Sequence, residues 1–232
     1  MIDDVTERAA KREPFPGESE AYRKARTALL AQEIALQRMI DGVAEQRRSL
    51  PPGPAITKDY RFATMNGGDP VGLAGLFGKH DTLVAYFWMY GPERPRPCPM
   101  CTNLLGPLDA NAVDIGQRVA LIVLGRSPVE RQIAFSQERG WQHLTFAQTL
   151  SDEFALDFGG LDPDKGWEYP VMMVFRKDGD AIRLFWKGAM TGEMADDGKD
   201  PRGGPDLATL WPVLDLTPDG RGSDWYPLLQ YD

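Results

Sequence analysis

The sequence has few of the side chains that build disulfide scaffolds or metal sites, since only two cysteines and two histidines occur among 232 residues. Two cysteines cannot form the disulfide framework of a small secreted protein. The formal net charge of −8 argues against general binding to nucleic acids, which requires a basic surface. We therefore expect no nucleic-acid partner and, at most, a transient disulfide.

Long apolar runs are also missing. No stretch reaches the roughly 18 apolar residues that a membrane-spanning helix needs. The opening Met1-Ile2-Asp3-Asp4 lacks the basic and apolar regions of a signal peptide. We therefore expect a cytoplasmic protein with no membrane partner. The hydrophobic content of 42% is nevertheless sufficient for a sizeable core.

The residues from about Glu18 to Arg48 predict a long amphipathic helix, because apolar side chains recur there near helical spacing. The following Ser49-Leu50-Pro51-Pro52-Gly53-Pro54 cannot continue a helix and predicts a short, stiff linker. We predict an N-terminal helical extension and linker over residues 1–54 and a second domain over residues 55–232. The helix either packs on that domain or forms a homodimer with a second copy.

The second domain alternates strand-like and helix-like segments. Almost continuous apolar runs at Leu83–Met89 and Val119–Leu124 predict strands buried on both faces of a sheet. A helical pattern follows each run, and this order predicts parallel neighbouring strands. A β-hairpin with an Asp-Gly turn is predicted later in the chain. The remaining predictions are strands at 60–64 and 144–146, helices at 99–114, 127–140, 152–158 and 207–214, a loop at 159–166, hairpin strands at 171–175 and 181–186, and a C-terminal tail that wraps the surface.

Both cysteines lie in one motif, Cys98-Pro99-Met100-Cys101, between a predicted buried strand and a predicted helix. A thiol pair in this position favours redox chemistry, because the helix N-terminus stabilises a thiolate at the first sulfur. Cys98 is therefore the candidate nucleophile and Cys101 the candidate resolving thiol. Arg94 and Arg96 stand close by in the sequence and could lower the pKa of Cys98, or they could simply be solvated.

A zinc site is the chemical alternative to a redox pair. Zinc needs about four ligands, and only His80 and His143 remain to join the two sulfurs. Each histidine is more typical of a surface or structural residue. The acidic run from Asp196 to Asp200 lacks the full pattern of a calcium loop. We therefore predict no metal and no cofactor.

The chain resembles known proteins at two levels. Its order of elements over roughly residues 60–214, with Cys-x-x-Cys after a central strand and a proline before a late hairpin, resembles the thioredoxin fold. The whole chain is similar to a bacterial thioredoxin-like family of unknown function, family 899. The residues that carry this resemblance are Ala28-Leu29-Leu30 with Glu33, Arg47-Arg48, Leu50-Pro51, Asp59-Tyr60 with Phe62, Cys98-Pro99-x-Cys101, Gly140-Trp141, Asp157-Phe158-Gly159, and Leu214-Asp215-Leu216-Thr217-Pro218 with Gly220-Arg221.

The resemblance implies an α/β, thioredoxin-like fold: a central mixed sheet flanked by helices, here with a long N-terminal helix added. It also implies a redox pair, and a cis bond before Pro170. With that bond cis, the backbone of Tyr169 could pair with an incoming peptide strand and its side chain could shape specificity.

Two departures from thioredoxin stand out. The loop from Met89 to Pro97 is much longer than thioredoxin's, and Tyr86 replaces a buried aspartate. Deprotonation of Cys101 would therefore need another acceptor, such as Glu93 or a water molecule.

Three classes of function stay open at this point. The first is a thiol–disulfide oxidoreductase that acts on protein or small-molecule thiols and disulfides. The second is a thiol peroxidase, because residues 67–87 also resemble the opening of peroxiredoxins, although Pro95 stands where those enzymes place a hydroxyl side chain. The third is a non-catalytic binding protein that dimerises through its N-terminal helix. Substrate, reductant and direction of electron flow are left open.

Overall fold

The structure is a computed structural model that describes residues 2–189, 196–197, 209–217, 222 and 224–231. The chain divides into two compact units, residues 1–51 and 52–232, so the second unit begins inside the predicted linker. Within the described ranges, no helix combines the length and the apolar character needed to cross a bilayer.

The first unit consists of helices α1 (Ile2–Ala10) and α2 (Glu20–Arg48), which confirms the predicted long helix. Ser19 caps α2, because its hydroxyl accepts the N–H of Tyr22 at 3.2 Å. Val5 and Ala9 of α1 are buried with Ala31 of α2. Helix α1, of nine residues, was not among the predicted elements.

Among its described residues, the second unit has a seven-stranded mixed sheet. Strands β3, β4 and β5 are parallel neighbours, and β8 and β9 continue the sheet as an antiparallel hairpin. In spatial order the strands are β2 (Val71–Gly72), β1 (Arg61–Thr64), β5 (Phe146–Thr149), β4 (Ala120–Gly125), β3 (Thr82–Phe87), β8 (Val171–Asp178) and β9 (Ala181–Ala189).

Helices connect and cover these strands. They are a 3-10 helix (Leu73–Phe77), α3 (Pro99–Ile115), α4 (Val129–Glu138), α5 (Glu153–Asp157) and α6 (Leu210–Asp215). With the long helix α2 preceding it, this arrangement is the predicted thioredoxin-like α/β fold.

The sheet separates two hydrophobic cores. Side chains alternate along β3, so successive residues of this strand enter opposite cores. Leu83, Ala85 and Phe87 enter what we call the phenylalanine core, which also holds Phe62, Phe77, Phe154, Phe158 and Phe175. Tyr86, together with Trp88 just past the strand end, enters the cysteine-side core, which also holds Tyr90, Cys101, Leu104, Leu105, Phe135 and Phe146.

Two local predictions differ from the structure. The predicted strand at 144–146 lies at Phe146–Thr149. The predicted loop at 159–166 contains strand β6 (Leu161–Asp162), which pairs with β7 (Trp167–Glu168). Two-residue strands carry no readable alternation, so the sequence offers no signal for them. The last helix begins at Leu210, and residues 207 and 208 of its predicted span lie outside the described residues, as does most of the acidic run at 196–200.

Candidate active site around the two cysteines

The Cys-x-x-Cys motif lies at the start of helix α3, after the loop that follows strand β3. Cys98 is the N-cap residue of α3, and Pro99 takes the first helical position, where its missing N–H has no cost. The N–H of Cys98 donates to the carbonyl of Met89 at 3.1 Å, and its own carbonyl accepts the N–H of Thr102 at 3.0 Å. The backbone of Cys98 is therefore fixed from both sides.

The two thiols have opposite environments. Cys98 is half-buried, whereas Cys101 is 2% exposed. The pKa of Cys98 is lowered to about 6, chiefly by a hydrogen bond from the Cys101 thiol, and further by the backbone N–H groups of Cys101 and Met100 and the charge of Arg94, against the effect of burial. Burial raises the pKa of Cys101 well above its usual range, and the adjacent Cys98 adds to the rise. At neutral pH the pair therefore holds one thiolate, on Cys98, and one thiol, on Cys101.

Tyr86 is the third member of this site, and the sequence analysis had not assigned it a role. Its side chain is 2% exposed and lies in the same buried cluster as Cys101, whose pKa its hydroxyl lowers as a hydrogen-bond donor. Burial, with contributions from both cysteines, raises the pKa of Tyr86 well above its usual value. The predicted alternative, Glu93, is exposed. The replacement of thioredoxin's aspartate by a tyrosine was the signal that could have identified this contact.

The long loop before Cys98 is anchored on a buried carboxylate. Glu168 is 4% exposed, and its Oε2 accepts the N–H of Gly91 at 3.0 Å and Nε of Arg94 at 3.1 Å. Its Oε1 accepts Nη1 of Arg126 at 3.3 Å. A Cβ at Gly91 would lie 2.4 Å from Oε1 of Glu168, so a larger residue there would force the carboxylate to shift. The sequence analysis missed Glu168, because a single acid in a turn-rich segment shows no pattern.

Helix α4 holds the same loop from the other side. Arg131 donates to the carbonyls of Pro92 at 3.1 Å and Arg94 at 2.6 Å. Arg96 forms an ion pair with Glu138 and lies over the ring of Phe135, with 4.9 Å between the guanidinium carbon and the ring centroid. Of the two arginines predicted to lower the pKa of Cys98, Arg94 does so. Arg96 instead contacts Glu138 and Phe135 of α4. The loop is thus fixed in place by contacts at several points.

The predicted binding pair Tyr169-Pro170 lies at the same edge of the sheet. Strand β8 begins at Val171, which pairs with Phe87 at the carboxyl end of β3. Pro170 is buried and Tyr169 is half-buried. The N–H of Tyr169 already donates to the carbonyl of Gly160 at 3.0 Å, so an incoming strand could not use that N–H without displacing Gly160. The cis bond at Pro170 stays a prediction.

The two histidines lie at the opposite end of the sheet from the cysteines. Both line a groove of about 360 Å³ at the amino end of β4, together with Lys79 and the end of α3. Within the described part of the chain, no group of three His, Cys, Asp or Glu side chains is placed to hold a metal ion. The structure therefore does not bring either histidine to the thiol pair.

The chain is similar to a known protein family. A family model described as "Bacterial protein of unknown function (DUF899)" matches residues 12–231. The search of curated proteins gave no match.

Solved structures show distant similarity. The mitochondrial 2-cys peroxiredoxin of Plasmodium falciparum has 15% identity and a TM-score of 0.45, over 72% of this chain and 95% of that one. A peroxiredoxin Q mutant of Xanthomonas campestris has 16% identity and a TM-score of 0.45, over 67% and 96%. The exposed lipoprotein thioredoxin of Streptococcus pneumoniae has 16% identity and a TM-score of 0.39, over 55% and 87%. Activity and substrate therefore have to be inferred from the site itself.

Proposed function

The chain belongs to the bacterial family of unknown function DUF899, and on that premise we propose that it is a thiol–disulfide oxidoreductase whose reacting groups are Cys98 and Cys101. The observation that carries this proposal is the contrast between the two sulfurs. Cys98 is half-buried with its pKa lowered to about 6, and the buried Cys101 keeps its proton within hydrogen-bonding reach. A nucleophile and a resolving thiol need these two states.

In the first step, the Cys98 thiolate attacks one sulfur of a substrate disulfide. The substrate S–S bond breaks, a new S–S bond joins Cys98 to the substrate, and the other substrate sulfur leaves as a thiolate. Cys98 suits this step because its pKa near 6 makes it about nine-tenths ionised at pH 7.

In the second step, Cys101 attacks the Cys98 sulfur of the mixed disulfide. The second substrate thiolate leaves, and the Cys98–Cys101 disulfide remains, so two electrons have passed from the protein to the substrate. One released thiolate takes up the proton of Cys101 and the other takes up a proton from solvent, since Cys98 begins as a thiolate. With an oxidised protein and a dithiol substrate, the same steps run in reverse.

The surrounding residues have supporting roles in this proposal. Arg94 stabilises the Cys98 thiolate through its charge. Arg96 helps to keep the preceding loop on α4 through its ion pair with Glu138. Tyr169, which is half-buried at the carboxyl edge of the sheet, contacts the substrate in this proposal, and the buried Pro170 holds the adjoining backbone.

The test is the reduction of insulin disulfides, with dithiothreitol as the electron donor. The reduced insulin precipitates, so the rise in turbidity measures the rate. We expect turnover by the wild-type protein and its loss, by about 1000-fold or more, in Cys98→Ser, because the nucleophile is gone. The matched variant Cys101→Ser should accumulate a mixed disulfide at Cys98, visible as added mass. Equal activity in Cys98→Ser and the wild-type protein would refute the proposal.

The same variants separate the alternative functions. A thiol peroxidase would consume hydrogen peroxide, with a sulfenic acid formed on Cys98 and then condensed with Cys101 to release water. Turnover of peroxide without turnover of disulfides would assign that function instead. Absence of both would favour a binding protein whose cysteines are passive.

A further inference from the structure

Tyr86 occupies the most enclosed part of the cysteine-side core. Its backbone lies at the centre of the sheet, where it pairs with Val123 of β4 on one side and Met172 of β8 on the other. This register turns the side chain into the cysteine-side core, where Cys101 is also buried. Both cysteines act on the Tyr86 hydroxyl there, and the hydroxyl acts on Cys101 as a hydrogen-bond donor.

The hydroxyl can act in only one way at this position. Tyr86 keeps its proton at neutral pH, because burial and the neighbouring cysteines disfavour its charged form. It therefore cannot take the proton of Cys101 as a base. It can donate its own O–H to the sulfur, and a donor is worth most when that sulfur is an anion.

We propose that Tyr86 is a catalytic residue of the resolving step, in which its hydroxyl donates a hydrogen bond to the Cys101 thiolate that attacks the mixed disulfide. This role rests on the proposed function. Tyr86 gives up no proton and forms no covalent bond. The proton of Cys101 passes to the substrate thiolate released in the first step.

The need for this donor arises only after the first step. In the reduced protein, the Cys101 thiol donates to the Cys98 thiolate. Once Cys98 is bound in a mixed disulfide, that acceptor charge is gone, and the anion must form on Cys101. The hydroxyl of Tyr86 and the backbone of Met89 lower the pKa of Cys101, and both are uncharged. A thiolate buried among them depends on those two donors.

The experiment separates the two steps with dithiobis(2-nitrobenzoate), a disulfide whose thiolate product is coloured. Stopped-flow absorbance shows a first release as Cys98 is modified and a second release as Cys101 resolves the mixed disulfide. In Tyr86→Phe we expect the first phase to stay within about twofold of wild type and the second to slow by roughly 10- to 100-fold at pH 7. The second phase should also reach its half-maximal rate at a higher pH.

Tyr90→Phe is the matched control. Tyr90 is also buried in the cysteine-side core, but its ring packs on Trp88 and beneath Arg131. Removal of its hydroxyl should leave both phases unchanged. The first phase also reports whether Tyr86→Phe is folded, since it depends on the environment of Cys98.

Three results would overturn this role. A second phase in Tyr86→Phe as fast as in the wild-type protein would show that the ring only packs. Equal slowing of both phases would show a general disturbance of the site. A wild-type protein with no second phase would refute the oxidoreductase function, and the role of Tyr86 with it; the first two results would leave that function intact.

Discussion

The two faces of the central sheet differ in chemistry although they share the same strands. On the phenylalanine core, the ring of Phe154 packs against those of Tyr60, Phe62 and Phe158, with centroids 4.6–5.3 Å apart. The hydroxyl of Tyr60 reaches the rim of this core, where it donates to Asp157 at 2.5 Å. The apolar residues of this core contribute hydrocarbon and one thioether, and the buried Thr149, opposite Phe62 in the β1–β5 register, adds a second hydroxyl.

The cysteine-side core combines apolar packing with satisfied polar groups. The indole of Trp88 donates to Gln132 at 3.3 Å, and the amide nitrogen of Gln132 donates to the carbonyl of Ser127 at 2.9 Å. Asp109 of α3 accepts the N–H groups of three consecutive residues, 142 to 144. Buried polar groups cost stability unless they are paired, so their concentration on one face marks the place where the fold positions chemistry.

The comparison predicts that the two faces respond differently to substitution. Phe154→Ala should destabilise the protein by about 3–5 kcal/mol, because it removes a fully buried ring and leaves a cavity. The reactivity of Cys98 in the folded protein should not change. Urea unfolding combined with alkylation kinetics measures both quantities, and a changed Cys98 rate would show that the two cores are coupled.

Glu168→Gln tests the anchor of the loop. The substitution keeps the shape of the side chain but removes the charge that Arg94 and Arg126 share, so we expect a loss of about 1–3 kcal/mol in the free energy of unfolding. The pair of Lys165 with the more accessible Asp162 supplies the control, since Asp162→Asn should cost clearly less than Glu168→Gln. Equal losses in the two variants would mean that burial of Glu168 does not strengthen its ion pairs.

The pH dependence of thiol alkylation tests the asymmetry of the cysteines. Only the thiolate reacts, and Cys98 has its pKa lowered to about 6, so its rate should be nearly constant above pH 7 and fall about tenfold between pH 7 and pH 5. Cys101 should stay unreactive over this range, because burial raises its pKa. Mass spectrometry of the alkylated peptide distinguishes the sites; a Cys98 midpoint near pH 8.5 would contradict the environment described.

The smallest expected effect is the change in Cys98 reactivity when Arg94 or Arg96 is replaced. Arg94→Gln should raise the pKa of Cys98 slightly and slow its alkylation at pH 6 by about twofold, because a nearby positive charge is lost. Arg96→Gln should have less effect, since Glu138 and Phe135 hold its guanidinium. The same alkylation assay applies, and a larger effect for Arg96→Gln would reverse the assignment.

Sequence patterns predicted the fold well where elements are long. Helix α2 and the hairpin of β8 and β9 have many residues with one periodicity, and the apolar runs of β3 and β4 indicate strands covered on both faces. The pair β6 and β7 was missed, because a two-residue strand is too short to show a period. Helix α1 was also missed although the shorter α5 was predicted, so length alone did not decide the outcome.

The site was predictable only in part. Cys98 and Cys101 are adjacent in sequence, so their motif indicates their chemistry directly. Glu168 reaches the loop at Gly91 from 77 positions away, and Tyr86 meets Cys101 only because the β3 register turns it to that face. Such contacts depend on tertiary packing, and no local pattern in the sequence indicates them.

The most direct test of the account is the redox equilibrium of the two cysteines, measured by thiol counting with mass spectrometry in graded dithiothreitol and glutathione buffers. We predict one reversible two-electron transition between a dithiol and a Cys98–Cys101 disulfide, with a midpoint between about −120 and −270 mV. Two free thiols at every potential, or glutathione attached to Cys98 with no disulfide to Cys101, would contradict a working dithiol pair.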